Sequence, residues 1–201
     1  MHVPPMCVCG NIFRGKTLAS VSKNLFSVAG KTALITGGGS GIGGFMAQSL
    51  ADEGATILLV GRREDKLKEV LGARDGSIFV IDLSEAGASQ RLFKMVTDRG
   101  YQPDIIVNAA GINPRLHADE IDEDMWNYTV HLNLNVPFLV AQKFVPAMQA
   151  NRWGRIINIA SMQSSRAFPN GISYGAAKGG VTQLTRAMAE AWSALGVTAN
   201  A

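Results

Sequence analysis

A glycine-rich turn between two patterned segments constrains the fold of this chain more than any other feature. Residues Thr32–Thr36 form a short apolar run, which predicts a buried strand, and residues 41–53 place apolar side chains at helical spacing. Around the junction, glycine stands at positions 37, 38, 39, 41, 43 and 44. The N–H groups at the start of a helix bind phosphate, and glycines let a phosphate approach the backbone closely. The turn therefore predicts a binding site for the pyrophosphate of a dinucleotide.

The spacing of these glycines separates the turn from other phosphate-binding turns. The pattern Gly37-x-x-x-Gly41-x-Gly43 differs from the common G-x-G-x-x-G fingerprint, although it serves the same physical purpose. No Lys-Ser or Lys-Thr pair closes it, so it is not a P-loop. A flexible loop without a ligand is the alternative, and the strand–turn–helix context argues against it.

Short apolar runs alternate with helical runs along the rest of the chain. Because parallel strands need a crossover connection, this alternation predicts an α/β fold with a doubly wound, Rossmann-like parallel sheet. Besides Thr32–Thr36, we expect strands at 56–60, 77–81, 104–107 and 155–160, and helices at 41–53, 64–71, 85–99, 125–151 and 174–195.

The C-terminal residues 197–201 look like the opening of a further strand. A domain rarely ends by starting an element, so we expect a dinucleotide-binding domain over residues 28–201 that is incomplete and lacks its last strands. The fifth strand would then be an exposed edge, which is a template for aggregation. We therefore expect a chain that is poorly soluble or weakly stable.

The composition argues against several classes of protein. With 201 residues, of which 47% are hydrophobic and 17% charged, the chain can bury the core of one folded domain. Its net charge of +3 gives no reason to expect a nucleic-acid partner. No apolar run reaches the roughly 18 residues of a membrane span. We expect no metal site, because Cys7 and Cys9, even with His2, lack a fourth ligand.

Residues 1–27 are expected to form an N-terminal extension. Up to Lys31 the chain has basic residues and no Asp or Glu, which is the composition of a mitochondrial transit peptide. Prolines and glycines would interrupt an amphipathic helix here, and an unstructured extension or a mis-assigned start is the alternative. Both cysteines lie in this extension, and a core without cysteine fits a reducing compartment. We predict a cytoplasmic location, with a mitochondrial one as the alternative.

The end of the second predicted strand indicates which dinucleotide is preferred. In dinucleotide-binding folds an acidic residue near this position accepts hydrogen bonds from the adenosine ribose. Here the chain reads Gly61-Arg62-Arg63, without a carboxylate, and guanidinium groups bind a 2′-phosphate. This favours NADP over NAD, with Arg62 as the better candidate. The alternative is that both arginines are solvated and partly neutralised by Glu64 and Asp65.

Three polar residues downstream form a candidate catalytic group. Tyr174 and Lys178 are four residues apart and share one helix face. A tyrosine is ordinarily a weak acid near neutral pH, and a nearby ammonium group stabilises its phenolate. Ser161, after the fifth predicted strand, could donate a hydrogen bond to a substrate carbonyl oxygen. A Tyr-x-x-x-Lys pair is common by chance, so its position after the glycine turn and the strands gives it weight.

From about residue 28 to 201 the sequence resembles the short-chain dehydrogenases/reductases. Within that family it is loosely similar to the 3-oxoacyl reductase-like branch. The matching residues are Thr36-Gly37-x-x-x-Gly41-x-Gly43, Asp82-Leu83, Asn108-Ala109-Ala110-Gly111, Asn133, Ser161 and Tyr174-x-x-x-Lys178. The resemblance implies that Tyr174 is the general acid/base and that Ser161 orients the carbonyl. It also implies that Lys178 holds the nicotinamide ribose and that Asn133 maintains a water-linked proton relay.

The resemblance also implies the cofactor contacts. Asp82 would contact the adenine, and the stretch 108–111 would steady the sheet beside the cofactor. The full predicted set of cofactor-binding residues is Gly37, Ser40, Gly41, Ile42, Gly43, Arg62, Asp82, Leu83, Asn108, Tyr174 and Lys178.

The chain departs from the family at its C-terminus. Family members continue with the rest of strand six, a Pro-Gly turn, a substrate lid and a seventh strand, so the resemblance implies a truncated chain with little reductase activity. The leading hypothesis is an NADP-dependent oxidoreductase acting on a small carbonyl or secondary alcohol, and a homo-oligomer if full length. A truncated, non-catalytic dinucleotide-binding fragment is the alternative. A dinucleotide-sensing regulatory protein is a third hypothesis, disfavoured because a sensor has no need for Tyr174.

Other polar residues are given structural roles. His117 and His131 lack the spacing of metal ligands, so surface or helix-packing roles are expected. The acidic cluster at 119–124 falls at a predicted helix start, where acids favour the helix dipole, so solvated capping is expected there.

Overall fold

The described residues form one six-stranded sheet in which every neighbouring pair of strands is parallel. A computed structural model describes residues 27–201. The strands are β1 Thr32–Thr36, β2 Thr56–Gly61, β3 Gly76–Val80, β4 Ile105–Asn108, β5 Gly154–Asn158 and β6 Val197–Asn200. Their order is β3-β2-β1-β4-β5-β6, and every neighbouring pair is parallel. The predicted doubly wound α/β fold is confirmed, and the strand order reverses between β1 and β4, where such folds bind ligands.

Helices connect the strands and cover both faces of the sheet. They are α1 Gly41–Asp52, α2 Glu64–Leu71, α3 Ala88–Asp98, α4 Glu123–Val130, α5 Val136–Ala150 and α6 Ile172–Trp192. Short 3₁₀ turns occupy Ala118–Glu120, Met162–Ser164 and Ser193–Leu195. Within residues 27–201, no helix is long and apolar enough to cross a membrane. Residues 1–26, which hold most of the predicted extension with His2, Cys7 and Cys9, lie outside the described part.

Alternate residues of the central strands face opposite layers. Ala33 and Ile35 pack toward α1 and α2, whereas Leu34 packs on the other face with α3 and α5. A strand buried on both faces must be apolar throughout, which explains the continuous apolar runs in the sequence.

The helix after β3 begins later than the sequence predicts. Asp82 accepts hydrogen bonds from the N–H and hydroxyl of Ser84, which holds the chain in a turn. Gly87 then adopts a left-handed conformation immediately before α3. Residues 85–87 therefore lie outside the helix predicted at 85–99.

The long helix predicted at 125–151 is continuous but contains a π turn. Residues His131–Asn135 form this π turn between α4 and α5, and the N–H of Val136 donates to the carbonyl of His131. Pro137 follows and has no N–H to donate to the preceding turn, which accounts for the irregularity at this point. The π turn carries Asn133.

The expectation that the fifth strand is an exposed edge is wrong. β6 pairs along β5 from Gly154 opposite Val197 to Ile157 opposite Asn200. Val197 and Ala199 are buried, so even a four-residue strand recovers apolar burial as well as hydrogen bonds. The edges of the described sheet are β3 and β6.

Candidate active site

The glycine turn after β1 makes a close backbone contact with the segment after β4. Gly37 has a φ of +67°, and a Cβ there would lie 2.8 Å from the backbone nitrogen of Ala110. A Cβ on Gly43 would lie 2.5 Å from the carbonyl oxygen of Gly37. Gly41 differs, because its φ is +54° and a Cβ there would meet no atom within 4 Å. The turn is therefore packed on its inner side and open at the start of α1, as a backbone site for phosphate requires.

Thr36 joins the turn to the same segment through its side chain. Its Oγ1 accepts hydrogen bonds from the N–H groups of Ala109 and Ala110, both at 3.2 Å. Sequence reasoning placed Thr36 in the motif but gave it no role. The available signal was a polar residue at the end of an otherwise apolar strand.

A cavity of about 200 Å³ runs from the glycine turn to Gly111. Its lining residues come from the loops after β1, β2, β3 and β4, and they include Gly37, Ser40, Gly61, Arg62, Arg63, Lys66, Asp82, Leu83 and Gly111. Ile42 is 59% exposed at the start of α1. Five of the eleven predicted cofactor residues, Gly37, Ser40, Arg62, Asp82 and Leu83, thus line one cavity at the sheet's switch point, whereas Gly41, Ile42, Gly43, Asn108, Tyr174 and Lys178 do not line it.

The two arginines after β2 have different partners in this cavity. Arg63 Nη2 donates to Ser40 Oγ at 3.1 Å, whereas Arg62 Nη1 lies 3.4 Å from Asp82 Oδ2. The sequence pattern favoured Arg62, whereas the Arg63 contact and the place of Lys66 in the cavity appear only in the structure. Arg63 is the arginine that lies against the glycine turn, and Lys66 follows it by less than one helical turn.

The Asp82 carboxylate is held in its charged form. Burial alone would raise its pKa, but hydrogen bonds from Ser84 and the charge of Arg62 outweigh that effect and keep the pKa below its ordinary value. Asp82 can therefore accept hydrogen bonds at the end of β3.

Asn108 lies inside the core rather than on the cavity surface. Its Nδ2 donates to Asn158 Oδ1 at 2.8 Å and to the carbonyl of Pro137 at 3.2 Å. Asn158 in turn donates to Thr185 Oγ1 at 2.9 Å. This chain of bonds links β4, β5, α5 and α6, which supports a role in steadying the sheet and not in direct contact with a cofactor.

Asn133 lies behind Gly111, the glycine at the far end of the cavity. The residue is 0% exposed, and its Nδ2 donates to the carbonyls of Ile112 and Thr129 at 2.8 and 2.9 Å. Its Oδ1 is buried and has no hydrogen-bond partner among the described residues. A Cβ on Gly111 would lie 2.5 Å from that oxygen. A buried oxygen without a partner is costly, and Asn108 Oδ1, Thr129 Oγ1 and Ser173 Oγ share that condition. The position of Asn133 against Gly111, near Lys178, is what makes its oxygen a candidate functional acceptor.

Lys178 approaches Gly111 from α6. Its Nζ donates to the carbonyl of Ile159 at 2.6 Å and lies 3.9 Å from the position of a Gly111 Cβ. The residue is 5% exposed, and burial lowers the pKa of Lys178 to about 8. Its Nζ also lies 5.6 Å from the centre of the Tyr174 ring. Lys178 and Asn133 therefore converge on one glycine beside Tyr174.

Ser161 stands at the start of the 3₁₀ turn that follows β5. Its Oγ accepts a hydrogen bond from the N–H of Gln163 at 3.1 Å. That bond occupies an acceptor site and leaves the hydroxyl hydrogen to donate to another group. Tyr174 is half-buried on the first turn of α6.

The larger cavity, of about 620 Å³, lies elsewhere. Ser161 and Tyr174 do not line it, although Gln163 and Ser164 of the adjoining 3₁₀ turn do. The rest of its lining comes from the loop 165–171, from His117 and Ala118, and from Ile172, Gly175 and Ala176 of α6. Those three helix positions lie on a different face of α6 from Tyr174 and Lys178. The cavity therefore begins beside the turn that carries Ser161, whereas Asn133 and Lys178 meet at Gly111.

The histidines and acidic residues have local partners. His117 Nδ1 accepts from the N–H of Asp119 at 3.4 Å, and Glu120 accepts from the N–H of His117. Asp122 accepts from the N–H of Met125 and caps α4, as the sequence predicts for this cluster. Among the described residues, no group of three or more potential ligands could hold a metal ion.

The model of one protein family, described as short chain dehydrogenase, matches residues 31–201. This chain belongs to the short-chain dehydrogenase family. The predicted membership of a nicotinamide-dependent oxidoreductase family is thereby confirmed, whereas the roles of the individual motif residues stay predictions.

Curated relatives of this short-chain dehydrogenase act on several kinds of substrate. A 3β-hydroxysteroid dehydrogenase from Mediterraneibacter gnavus is 34% identical over 177 residues, covering 85% of this chain and 64% of the relative. A 2-dehydro-3-deoxy-D-gluconate 5-dehydrogenase from Bacillus subtilis is 37% identical over 184 residues, covering 88% and 70%. A 3-oxoacyl-[acyl-carrier-protein] reductase from Rickettsia felis is 29% identical, covering 88% and 73%. The chain thus spans about two thirds to three quarters of the length of these relatives.

Solved structures of similar proteins contain NADP. A gluconate 5-dehydrogenase from Burkholderia cenocepacia, in complex with NADP and tartrate, is 35% identical with a TM-score of 0.82, covering 89% of this chain and 72% of that one. A protein described as an NAD(P)-dependent gluconate 5-dehydrogenase from Beutenbergia cavernae, with NADP bound, is 37% identical with a TM-score of 0.82, covering 87% and 72%. These bound molecules agree with the NADP type of cofactor that the sequence predicts.

These relatives are bacterial, and they give no support to the mitochondrial alternative. The cytoplasmic location, the homo-oligomer and the absence of a nucleic-acid partner stay predictions.

Proposed function

We propose that this short-chain dehydrogenase transfers hydride between NADP(H) and a small carbonyl compound or secondary alcohol, with Tyr174 as the general acid/base. The observation that carries the proposal is the single cavity that begins at the glycine turn and ends at Gly111. At that end, the Asn133 oxygen and the Lys178 ammonium group converge beside Tyr174. The glycine turn lines one end of this cavity, and Gly111, at its other end, lies against Asn133 and near Lys178.

The residues around the cavity fit the cofactor. The open backbone at Gly41 and Ser40 would hold the pyrophosphate, Asp82 and Leu83 would lie at the adenine, and Lys178 would hold the nicotinamide ribose. When bound, the nicotinamide supplies or accepts the hydride.

Three residues handle the proton and the substrate oxygen. In the reductive direction the Tyr174 hydroxyl gives its proton to the carbonyl oxygen, and Ser161 donates a hydrogen bond to that same oxygen. The Lys178 ammonium group stabilises the phenolate that remains, because most Lys178 is still protonated near neutral pH at a pKa of about 8.

Asn133 completes the proton route. Its unpaired, buried Oδ1 can accept a hydrogen bond from a water molecule beside Lys178. Protons can then return to Tyr174 through Lys178 and water after each turnover. This gives a function to an oxygen that would otherwise only cost stability.

Charge around the other end of the cavity supports NADP over NAD. Arg62, Arg63 and Lys66 line it with one carboxylate, Asp82, and Gly61 leaves no acid at the tip of β2. A 2′-phosphate would meet cations there, with Arg63 held against Ser40 and Arg62 drawn toward Asp82. We propose that Arg63 contributes to the preference at least as much as Arg62.

The Tyr174→Phe variant tests the proposal. Oxidation of NADPH by a panel of small ketones should fall by about three orders of magnitude or more, because the proton donor disappears while the ring remains. NADPH affinity should stay within about twofold of the parent. Tyr128→Phe, which removes a hydroxyl from α4, should behave like the parent. Turnover by Tyr174→Phe near the parent's rate would refute the acid/base role.

A further inference from the structure

The proposed reaction needs two side chains from different elements to reach one oxygen atom. Ser161 follows β5, whereas Tyr174 is on the first turn of α6. The chain between them is largely exposed and passes through the irregular loop 165–171. Something other than this loop must therefore fix the distance between the two hydroxyl groups.

One hydroxyl spans the two segments. Ser164 Oγ accepts a hydrogen bond from the N–H of Ser161 at 3.3 Å and donates one to the carbonyl of Lys178 at 2.8 Å. Ser164 is half-buried, and it has no other role in the proposed chemistry. A single side chain thus connects the backbone of the predicted carbonyl-orienting serine to the backbone of the predicted ribose-binding lysine.

A second bond links the same two segments but serves another purpose. Lys178 Nζ donates to the carbonyl of Ile159, two residues before Ser161. The same Nζ is expected to hold the cofactor ribose, so this bond is shared with ligand binding. The Ser164 bonds are independent of the ligand.

We infer that Ser164 is a positioning residue that sets the Ser161 hydroxyl relative to Tyr174; the inference rests on the proposed function. Removing the Ser164 hydroxyl leaves the Ser161 N–H without its partner and breaks the side-chain tie to α6. The internal hydrogen bonds of the 3₁₀ turn remain, so the turn should shift as a unit relative to α6. The carbonyl of Lys178 keeps a hydrogen bond from Thr182 Oγ1 at 3.2 Å, so α6 should stay intact. The substitution should therefore change the position of the Ser161 hydroxyl and leave α6 in place.

Replacement of two adjacent serines separates positioning from general stability. Ser164→Ala should lower kcat by about 10- to 100-fold, because small misplacement of reacting groups has effects of that size. KM for the ketone and Kd for NADPH should change by less than about twofold. Ser164→Thr, which keeps a hydroxyl on the same carbon, should restore most of kcat. Ser165→Ala, the matched control on an exposed neighbouring residue, should leave all three constants unchanged.

Amide hydrogen exchange gives a readout that does not depend on turnover. Exchange of the Ser161 N–H should be faster in Ser164→Ala than in the parent and unchanged in Ser165→Ala. If the parent protein has no reductase activity but exchange at Ser161 is still faster in Ser164→Ala, the tether is supported and the proposed function fails. The inference is overturned if Ser164→Ala keeps the parent's kcat, if its exchange at Ser161 is unchanged, or if it loses NADPH binding and cooperative unfolding together.

Discussion

Asn133 and Gly111 are so close that a single methyl group on the glycine would reach 2.5 Å from the Asn133 oxygen. That distance is shorter than real Cβ contacts, so the two residues are matched in size. The match lets the buried oxygen pack directly against Gly111 at the end of the cavity. Gly111 therefore belongs to the site because only a residue without a side chain leaves room for the Asn133 oxygen.

Gly111→Ala should impair the site without unfolding the protein. The added methyl must displace Asn133 Oδ1, while Lys178 Nζ would remain at an ordinary 3.9 Å, and the displacement should cost about 1–3 kcal/mol in stability. Turnover should fall by about 10-fold or more. Gly179→Ala is the matched control, because its Cβ would meet only the Ser164 carbonyl at an ordinary 3.8 Å. Equal turnover in both variants would show that the fit at Gly111 is unimportant.

The cofactor preference should depend on Arg63. Arg63→Ala should weaken NADPH binding by about 10-fold, a typical effect of losing a charge-assisted hydrogen bond, and leave NADH binding unchanged. Lys68→Ala provides the control, since Lys68 is exposed on α2 and paired with Glu64. Fluorescence titration of both cofactors measures the effect. Unchanged NADPH affinity in Arg63→Ala would exclude it as a phosphate ligand.

A carboxylate at the tip of β2 should reverse the preference. Gly61→Asp combined with Arg62→Ala adds a ribose acceptor and removes one cation near the 2′-phosphate. NADH should then bind more tightly than NADPH in the same titration. If NADPH still binds more tightly, the preference must be set elsewhere.

Burial of Lys178 predicts a specific dependence of stability on pH. Its pKa falls from an ordinary 10.5 to about 8, so the folded protein loses this proton at lower pH than the unfolded chain does. Below a pH of about 8 both states are protonated, and the folded state bears the full cost of a buried ammonium group. Between about 8 and 10.5 only the unfolded chain stays protonated, so stability rises with pH.

The Lys178→Met variant lacks this effect. Relative to it, the parent should gain about 2 kcal/mol in free energy of unfolding between pH of about 7 and about 9.5. Urea unfolding at both pH values measures the difference, and Lys94→Met on the surface of α3 is the control. The same difference at both pH values would mean that Lys178 is not desolvated.

The last strand should contribute measurable stability. Val197 is fully buried on β6, so Val197→Ala should lower the free energy of unfolding by about 1–3 kcal/mol. Thr198→Ala, at the adjacent half-buried position, should have a smaller effect. If neither variant changes the urea midpoint, β6 does not protect β5. Aggregation through an exposed β5 edge would then be expected again.

Local patterns in the sequence determined a large part of this protein. The glycine turn after β1, the run Thr32–Thr36 and the helical spacing after it depend on nearby residues, so the strand and helix assignments hold within a few positions. Tyr174 and Lys178 share a helix face because they are four residues apart, whatever the rest of the chain does. The family motifs follow from the same short stretches.

Only the tertiary structure decided how distant segments meet. The choice of Ser40 as the partner of Arg63, the convergence of Asn133 and Lys178 on Gly111, and the Ser164 bonds join residues far apart in sequence. The pairing of β6 with β5 overturned an expectation for the same reason, since hydrogen bonds between strands carry no local sequence signal. Side-chain spacing encodes the period of an element, whereas the partner of each element is set by burial and hydrogen bonding across the whole fold.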